Sequence, residues 1–90
     1  MTASYLRADA LDQLVLDGEC ILLYEDRYVR LGPLGTHLVT LTTTPRRLDE
    51  LADALIATFG APAEGSVTDA TRAAVAALIT QGVLREVVHG

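Results

Sequence analysis

The chain contains no lysine and no tryptophan, a single cysteine, two histidines and no long unbroken run of apolar residues. Each shortage closes a class of function. Without lysine, Gly32 and Gly35 cannot open a phosphate-binding loop, and the fingerprint glycine spacing is missing as well. Cys20 alone can form neither an intramolecular disulfide nor a thiolate metal cluster. His37 and His89 lie too far apart in sequence to share a metal-ligand spacing with each other or with Cys20. No metal and no cofactor are therefore expected. The N-terminal region lacks a basic stretch followed by an apolar one, and no segment approaches the length of a membrane span. The expected location is the cytoplasm, with no membrane partner. Twelve acidic against seven basic residues leave a net charge of −5. That balance disfavours nucleic acid, whose binding rests on cations neutralising phosphates.

What remains is an ordinary globular composition, 50% hydrophobic and 21% charged, on a length that suits one domain over residues 1–90. The aromatics are Tyr5, Tyr24, Tyr28 and Phe59, so aliphatic side chains must build the core. Each fully buried Leu, Ile or Val contributes roughly 1.5–3 kcal/mol. All seven basic residues are arginines, which grip carboxylates in a planar, two-pronged fashion; acidic peptide is a more natural ligand than a polyanion.

The fold class expected is α+β, winged-helix-like: a three-stranded antiparallel meander followed by three helices. A weak strand at Tyr5-Leu6-Arg7 precedes the meander. Leu14-Val15-Leu16 forms its first strand, closed by the turn pair Asp17-Gly18. Glu19 to Tyr24 is the second strand, Glu25-Asp26 a polar tip, and Arg27 to Leu31 the third. In the third strand Val29 and Leu31 share one face, Tyr28 and Arg30 the other. Pro33 suits the first position of a helix carrying Leu34, Leu38 and Leu41. Thr44-Pro45 can cap and start a second helix, with Leu48, Leu51, Ala52, Leu55 and Phe59 as its apolar stripe and Gly60 as its stop. Residues 61–65 form a loop. Ser66 with Asp69 resembles a capping box for the third helix, whose inward stripe is Thr71, Ala74, Val75, Leu78 and Ile79. Gly82 ends it, and Val83-Leu84 fold back onto the core.

No catalytic constellation is visible, and the chain is expected not to be an enzyme. Cys20 sits in an apolar run, where a small buried hydrophobe is the expected role and a thiol nucleophile the alternative. Glu25-Asp26 and Asp49-Glu50 are accounted for by a solvated turn and a favourable helix dipole. His37 belongs to a helix surface, and His89 to a loose C-terminal end. Arg46-Arg47, the adjacent basic pair, sits where a helix N-terminus disfavours cations.

From about Leu14 to Leu84 these features together resemble the PqqD-like domains called RiPP recognition elements. The resemblance is carried by Asp17-Gly18-Glu19, the strand Cys20 to Tyr24, and Arg27-Tyr28-Val29-Arg30-Leu31-Gly32-Pro33. It continues through Leu48-Asp49-Glu50-Leu51 and closes with Val75-Ala76-Ala77-Leu78-Ile79 and Gly82-Val83-Leu84. Gly32 stands where Asn or Asp is usual, Thr43-Thr44 where Asp-Gly is common, and Arg47 where a Thr cap is common. The resemblance implies a non-catalytic domain that binds the leader of a ribosomally made peptide precursor and presents it to modifying enzymes or a leader peptidase. A lasso-peptide pathway is favoured over a radical-enzyme one. In the family the leader adds as a strand to the third strand and lies against the third helix. That maps onto Arg27, Tyr28, Val29, Arg30 and Leu31, and onto Asp69, Arg72, Ala73, Val75, Ala76 and Ile79. Arg30 and Arg72 are the candidates to meet leader carboxylates, while Ala73 and Ala76 leave room for leader side chains. For Val29, Leu31, Val75 and Ile79 a core role competes with ligand contact.

Two other readings compete. A winged-helix DNA-binding module would need a basic recognition helix, whereas the third helix carries Asp69 and only Arg72. A structural protein-interaction subunit would bind a folded neighbour with no requirement for a leader.

Overall fold

The computed structural model describes residues 2–63 and 65–89; Glu64, in the expected 61–65 loop, lies outside the described residues. Eight elements follow in order: β1 (Thr2–Arg7), β2 (Asp12–Leu16), β3 (Glu19–Leu23), β4 (Tyr28–Leu31), α1 (Pro33–Leu41), α2 (Leu48–Phe59), α3 (Val67–Thr80) and β5 (Leu84–His89). Asp17 and Gly18 take φ of 54° and 76°, the left-handed pair that a two-residue type I′ turn requires. They join β2 to β3 antiparallel, and β3 pairs antiparallel with β4. The expected meander and three helices are present.

A second sheet joins the two ends of the chain. β1 and β5 pair antiparallel from Thr2 opposite His89 to Arg7 opposite Leu84. The strand expected at Tyr5–Arg7 is therefore longer, and β5 was not expected as a strand at all. His89, expected in a loose end, is the last residue of that ladder. Val83 and Leu84 do fold back as expected, 0% and 2% exposed.

The other edge of β1 explains why α2 starts late. Arg46 and Tyr5 exchange main-chain bonds in both directions, at 2.7 and 3.0 Å, and the Arg7 amide donates to Thr42 O. Arg46 is thereby held extended, and the helix begins at Leu48 rather than after Thr44-Pro45. Arg47 becomes its N-cap. The Arg47 amide donates to Glu50 Oε1 at 2.9 Å, one half of a capping box. The other half is missing because a guanidinium cannot accept. The unfavourable Arg46-Arg47 placement is offset by ion pairs: Arg46 with Glu50, and Arg47 with Asp49 and Glu50. Arg46 Nε also donates to Leu41 O at the end of α1.

α3 starts on Ser66, whose Oγ accepts the Asp69 amide at 3.0 Å; the Asp69 carboxylate turns instead to Arg72. Its stop is complete. Gly82 N–H bonds Ile79 O and Val83 N–H bonds Leu78 O, both at 2.9 Å, the two bonds of a Schellman motif. Gly82 takes φ 75° there. The core joins Cys20, Leu22, Val29 and Leu31 from the meander to Leu38, Val39, Leu51, Leu55, Val75 and Leu78 from the helices. Phe59 and Ile79, expected to point inward, are exposed at the ends of their stripes.

Gly82→Ala meets two penalties. A Cβ there is strained at positive φ and runs into the Arg27 guanidinium. Urea denaturation is expected to show a loss of about 1–2 kcal/mol with an unchanged m-value. In an Arg27→Ala background the Gly82→Ala loss should shrink only by the part due to the collision, the strain at positive φ remaining.

Candidate peptide-binding groove

β4 is an edge strand, since the sheet order is β2-β3-β4. Antiparallel ladders alternate between residues that bond to the neighbour and residues whose main-chain groups face away. The Tyr24 amide donates to Arg27 O at 2.8 Å, which makes Tyr24 and Arg27 a bonded pair. Counting along the register, Leu22 with Val29 and Cys20 with Leu31 are bonded pairs too. The amides and carbonyls of Tyr28 and Arg30 therefore point outward, unpaired with β3. Side chains follow the other alternation: Val29 and Leu31 are buried, Tyr28 and Arg30 exposed. The edge thus presents free main-chain groups while its apolar side chains anchor it to the core.

α3 supplies the facing wall. Thr71, Val75 and Leu78 are its buried stripe. On one flank Val67, Ala70 and Thr71 border a cavity shared with Leu55 and Phe59 of α2. At 100° per residue, Arg72, Ala76 and Ile79 occupy the other flank. Where the C-terminal end of α3 meets β4, Arg27, Tyr28, Val29, Arg30, Thr80, Gln81 and Gly82 line a cavity of about 490 Å³. Arg27 closes this end. Its Nη2 donates to Gln81 O at 2.9 Å, its Nη1 meets Asp26 at 3.0 Å, and its guanidinium lies 4.6 Å from the Tyr24 ring centre.

The residues expected to form the site divide three ways. Arg27, Tyr28, Val29 and Arg30 are brought together, with Thr80, Gln81 and Gly82 joining them. These last three were missed because Gly82 carried only a helix-stop signal and Thr80 and Gln81 none. Leu31 and Val75 are core residues and line no part of this cavity; Val29 is buried too but reaches it. Asp69, Arg72, Ala73, Ala76 and Ile79 are exposed on α3 and line no part of this cavity, with Ala73 opposite Val75 on the helical wheel. The two arginines expected to meet ligand carboxylates are already paired within the chain: Arg30 with Glu19 at 3.3 Å and Arg72 with Asp69 at 3.1 Å.

The groups outside the groove offer little chemistry. Cys20 is 1% exposed, and burial pushes its thiol pKa up, only partly opposed by the Arg7 charge. A raised pKa suppresses the thiolate that a nucleophile needs. His37 shares a hydrogen bond with Thr58 at 3.2 Å and stacks edge-on with Phe59. Among the described residues no three His, Cys, Asp or Glu gather closely enough to hold a metal ion, and no helix is long and apolar enough to cross a membrane.

A meander with a free edge strand beside the last of three helices defines a small α+β domain of the kind that extended peptides can complete by strand addition. The sequence matches the model of the PqqD family, coenzyme PQQ synthesis protein D, over residues 19–84, and the chain belongs to that family. Its fold is similar to the solved structure of TbiB1 in complex with the TbiA(beta) leader peptide. The two are 24% identical with a TM-score of 0.69, over 89% of this chain and 94% of that one. No curated protein matches the chain.

The buried Cys20 thiol and Tyr24 phenol make stability depend on alkaline pH. Burial raises both above their ordinary values of 9.0 and 10.0, so the unfolded chain loses these protons first. Stability is then full below the ordinary thiol value and falls as pH rises through it. Denaturation midpoints should hold level through neutrality and decline above about pH 9. Cys20→Ala should make that decline shallower.

Proposed function

We propose that this chain binds the leader segment of a ribosomally made peptide precursor as an added strand on β4, and presents it to a modifying enzyme or peptidase without chemistry of its own. The observation that carries the proposal is the outward phase of Tyr28 and Arg30 on an edge strand facing α3. An extended peptide lying there exchanges main-chain bonds with those two residues. Its side chains alternate between the α3 flank, at Arg72, Ala76 and Ile79, and the outer face of the sheet. Main-chain pairing gives affinity that tolerates sequence variation, and the small Ala76 leaves space for a bulky leader side chain. TbiB1, which shares the fold, is seen in complex with a leader peptide, and this supports the same ligand class here.

Presentation requires a second surface, and the outer face of the meander is open. Leu14, Leu16 and Tyr28 are 58%, 66% and 71% exposed, and Ile21 and Leu23 lie between them. The register places these side chains on one face. A leader strand beside β4 would extend that face by one row, so an enzyme docking there would meet domain and precursor together. The genes adjoining this one discriminate the pathway. A transglutaminase-like peptidase with an asparagine-synthetase-like cyclase marks a lasso pathway, and a radical-enzyme gene the other.

Proline substitution separates the two phases of β4. Of the main-chain bonds, Arg30→Pro removes only an outward donor; with Arg30→Ala as the reference that already lacks the exposed pair to Glu19, it should weaken leader binding about two- to tenfold in a calorimetric titration, with the fold kept by circular dichroism. Val29→Pro instead breaks the ladder to Leu22 and should lower stability. Equal leader affinity in folded Arg30→Pro and Arg30→Ala would place the peptide elsewhere.

Leu14→Glu tests the outer face. It should leave leader affinity within about twofold, while reducing the domain's stimulation of its partner enzyme by about tenfold or more. Undiminished stimulation would remove this face from the interface.

A further inference from the structure

The outer face of the meander divides into two hollows. Asp12, Gln13, Leu14, Ile21, Leu23 and Tyr28 line one of about 320 Å³. Leu14, Leu16, Asp17, Glu19, Ile21 and Arg30 line the other, of about 120 Å³. Leu14 and Ile21 stand opposite each other in the ladder and border both. Arg30, the cation among them, is already paired with Glu19. Among the described residues Asp12 and Asp17 have no cation within ion-pair distance. Each hollow is therefore mostly apolar and carries one net negative charge. We propose that this face receives a partner surface that is apolar at its centre and basic at both ends, as an amphipathic helix flanked by arginine or lysine presents. The proposal rests on the reading of this face as the one that meets the partner enzyme, and adds what that enzyme must carry there.

The spacing of the two carboxylates suits a helix. Asp12 opens β2 and Asp17 begins the turn that follows it, five residues on. At about 3.3 Å per residue their Cα atoms stand about 16 Å apart. Along a helix that span is about eleven residues, three turns, which returns to the same side. A helix laid along β2 can set one cation at each carboxylate and place apolar side chains between them, on Leu14 and Ile21. Both acids are held in place. Asp12 Oδ1 accepts the Gln13 amide at 2.8 Å and leaves Oδ2 open, and the Asp17 backbone is set by its left-handed turn.

Charge also separates the occupants. A second copy laid on this face would bring Asp12 and Asp17 against its own carboxylates in either orientation, on chains of net charge −5 each. An anionic lipid surface is repelled in the same way. A basic rim is attracted, and such rim charges govern encounter rate and choice of partner.

The full chain, without leader peptide, is titrated with an alanine-based helical peptide that carries two arginines eleven residues apart and leucines between them. A second peptide has glutamate in place of both arginines. Saturable amide shifts confined to residues 11–23 and 28–30 are expected with the first peptide and not with the second, and added salt should weaken them. The double variant Asp12→Asn, Asp17→Asn keeps the acceptor for Gln13 and the turn, since Asn tolerates the left-handed region. It should bind the arginine peptide about three- to tenfold more weakly, and Asp53→Asn, on α2, as the parent does. No saturable shift, shifts spread over the helices, equal binding of the glutamate peptide, or parental affinity in the folded double variant would each overturn the proposal. So would a dimer in sedimentation that Leu14→Glu dissolves, since a second copy would then own the face. Enzyme stimulation lost in Leu14→Glu but full in the double variant would keep the face as the interface and reject a basic partner.

Discussion

The bond from the Tyr24 amide to the Arg27 carbonyl sets the phase of the β3–β4 ladder, and the arrangement of the groove depends on that phase. Shifted by one residue, the ladder would turn the main-chain groups of Val29 outward and bury the side chains of Tyr28 and Arg30. In the phase observed, apolar anchoring and main-chain display fall on alternate residues of one four-residue strand. Arg27 secures the same corner by tying the hairpin to the Gln81 carbonyl, so the strand edge and the end of α3 are held as one unit.

Much of this fold is written in local signals. Asp17-Gly18 announces its turn, Pro33 a helix start, Ser66 a cap and Gly82 a stop, and each acts within a few residues of itself. The pairing of β1 with β5 has no such signal, because it joins opposite ends of the chain and neither strand alternates cleanly between apolar and polar residues. The displaced start of α2 has the same origin, since Arg46 is held extended by Tyr5, forty-one residues upstream. At the candidate groove, the strand and helix were legible through the family resemblance. The phase of the free groups was not, because it rests on a hairpin hydrogen bond that composition does not encode. Nor could the commitments of Arg30 and Arg72 be read, as only the folded register brings Glu19 beside Arg30.

The reliance on arginine fits a small domain with a modest core. A guanidinium can meet a carboxylate, a carbonyl and an aromatic face together, as Arg27 does with Asp26, Gln81 and Tyr24. An ammonium, a compact point charge, would be a poorer clasp. These exposed pairs add little stability individually, about 0–1 kcal/mol each. Their larger effect is to orient loops and strand ends that the aliphatic core does not reach.

The antiparallel pairing of Thr2 with His89 also bears on how the domain can be joined to other proteins. A polypeptide attached before β1 and one attached after β5 would leave from neighbouring points on the same sheet. Either attachment would use the same exit, and exchanging one for the other would move a tethered partner by little more than the spacing between two strands, about 5 Å.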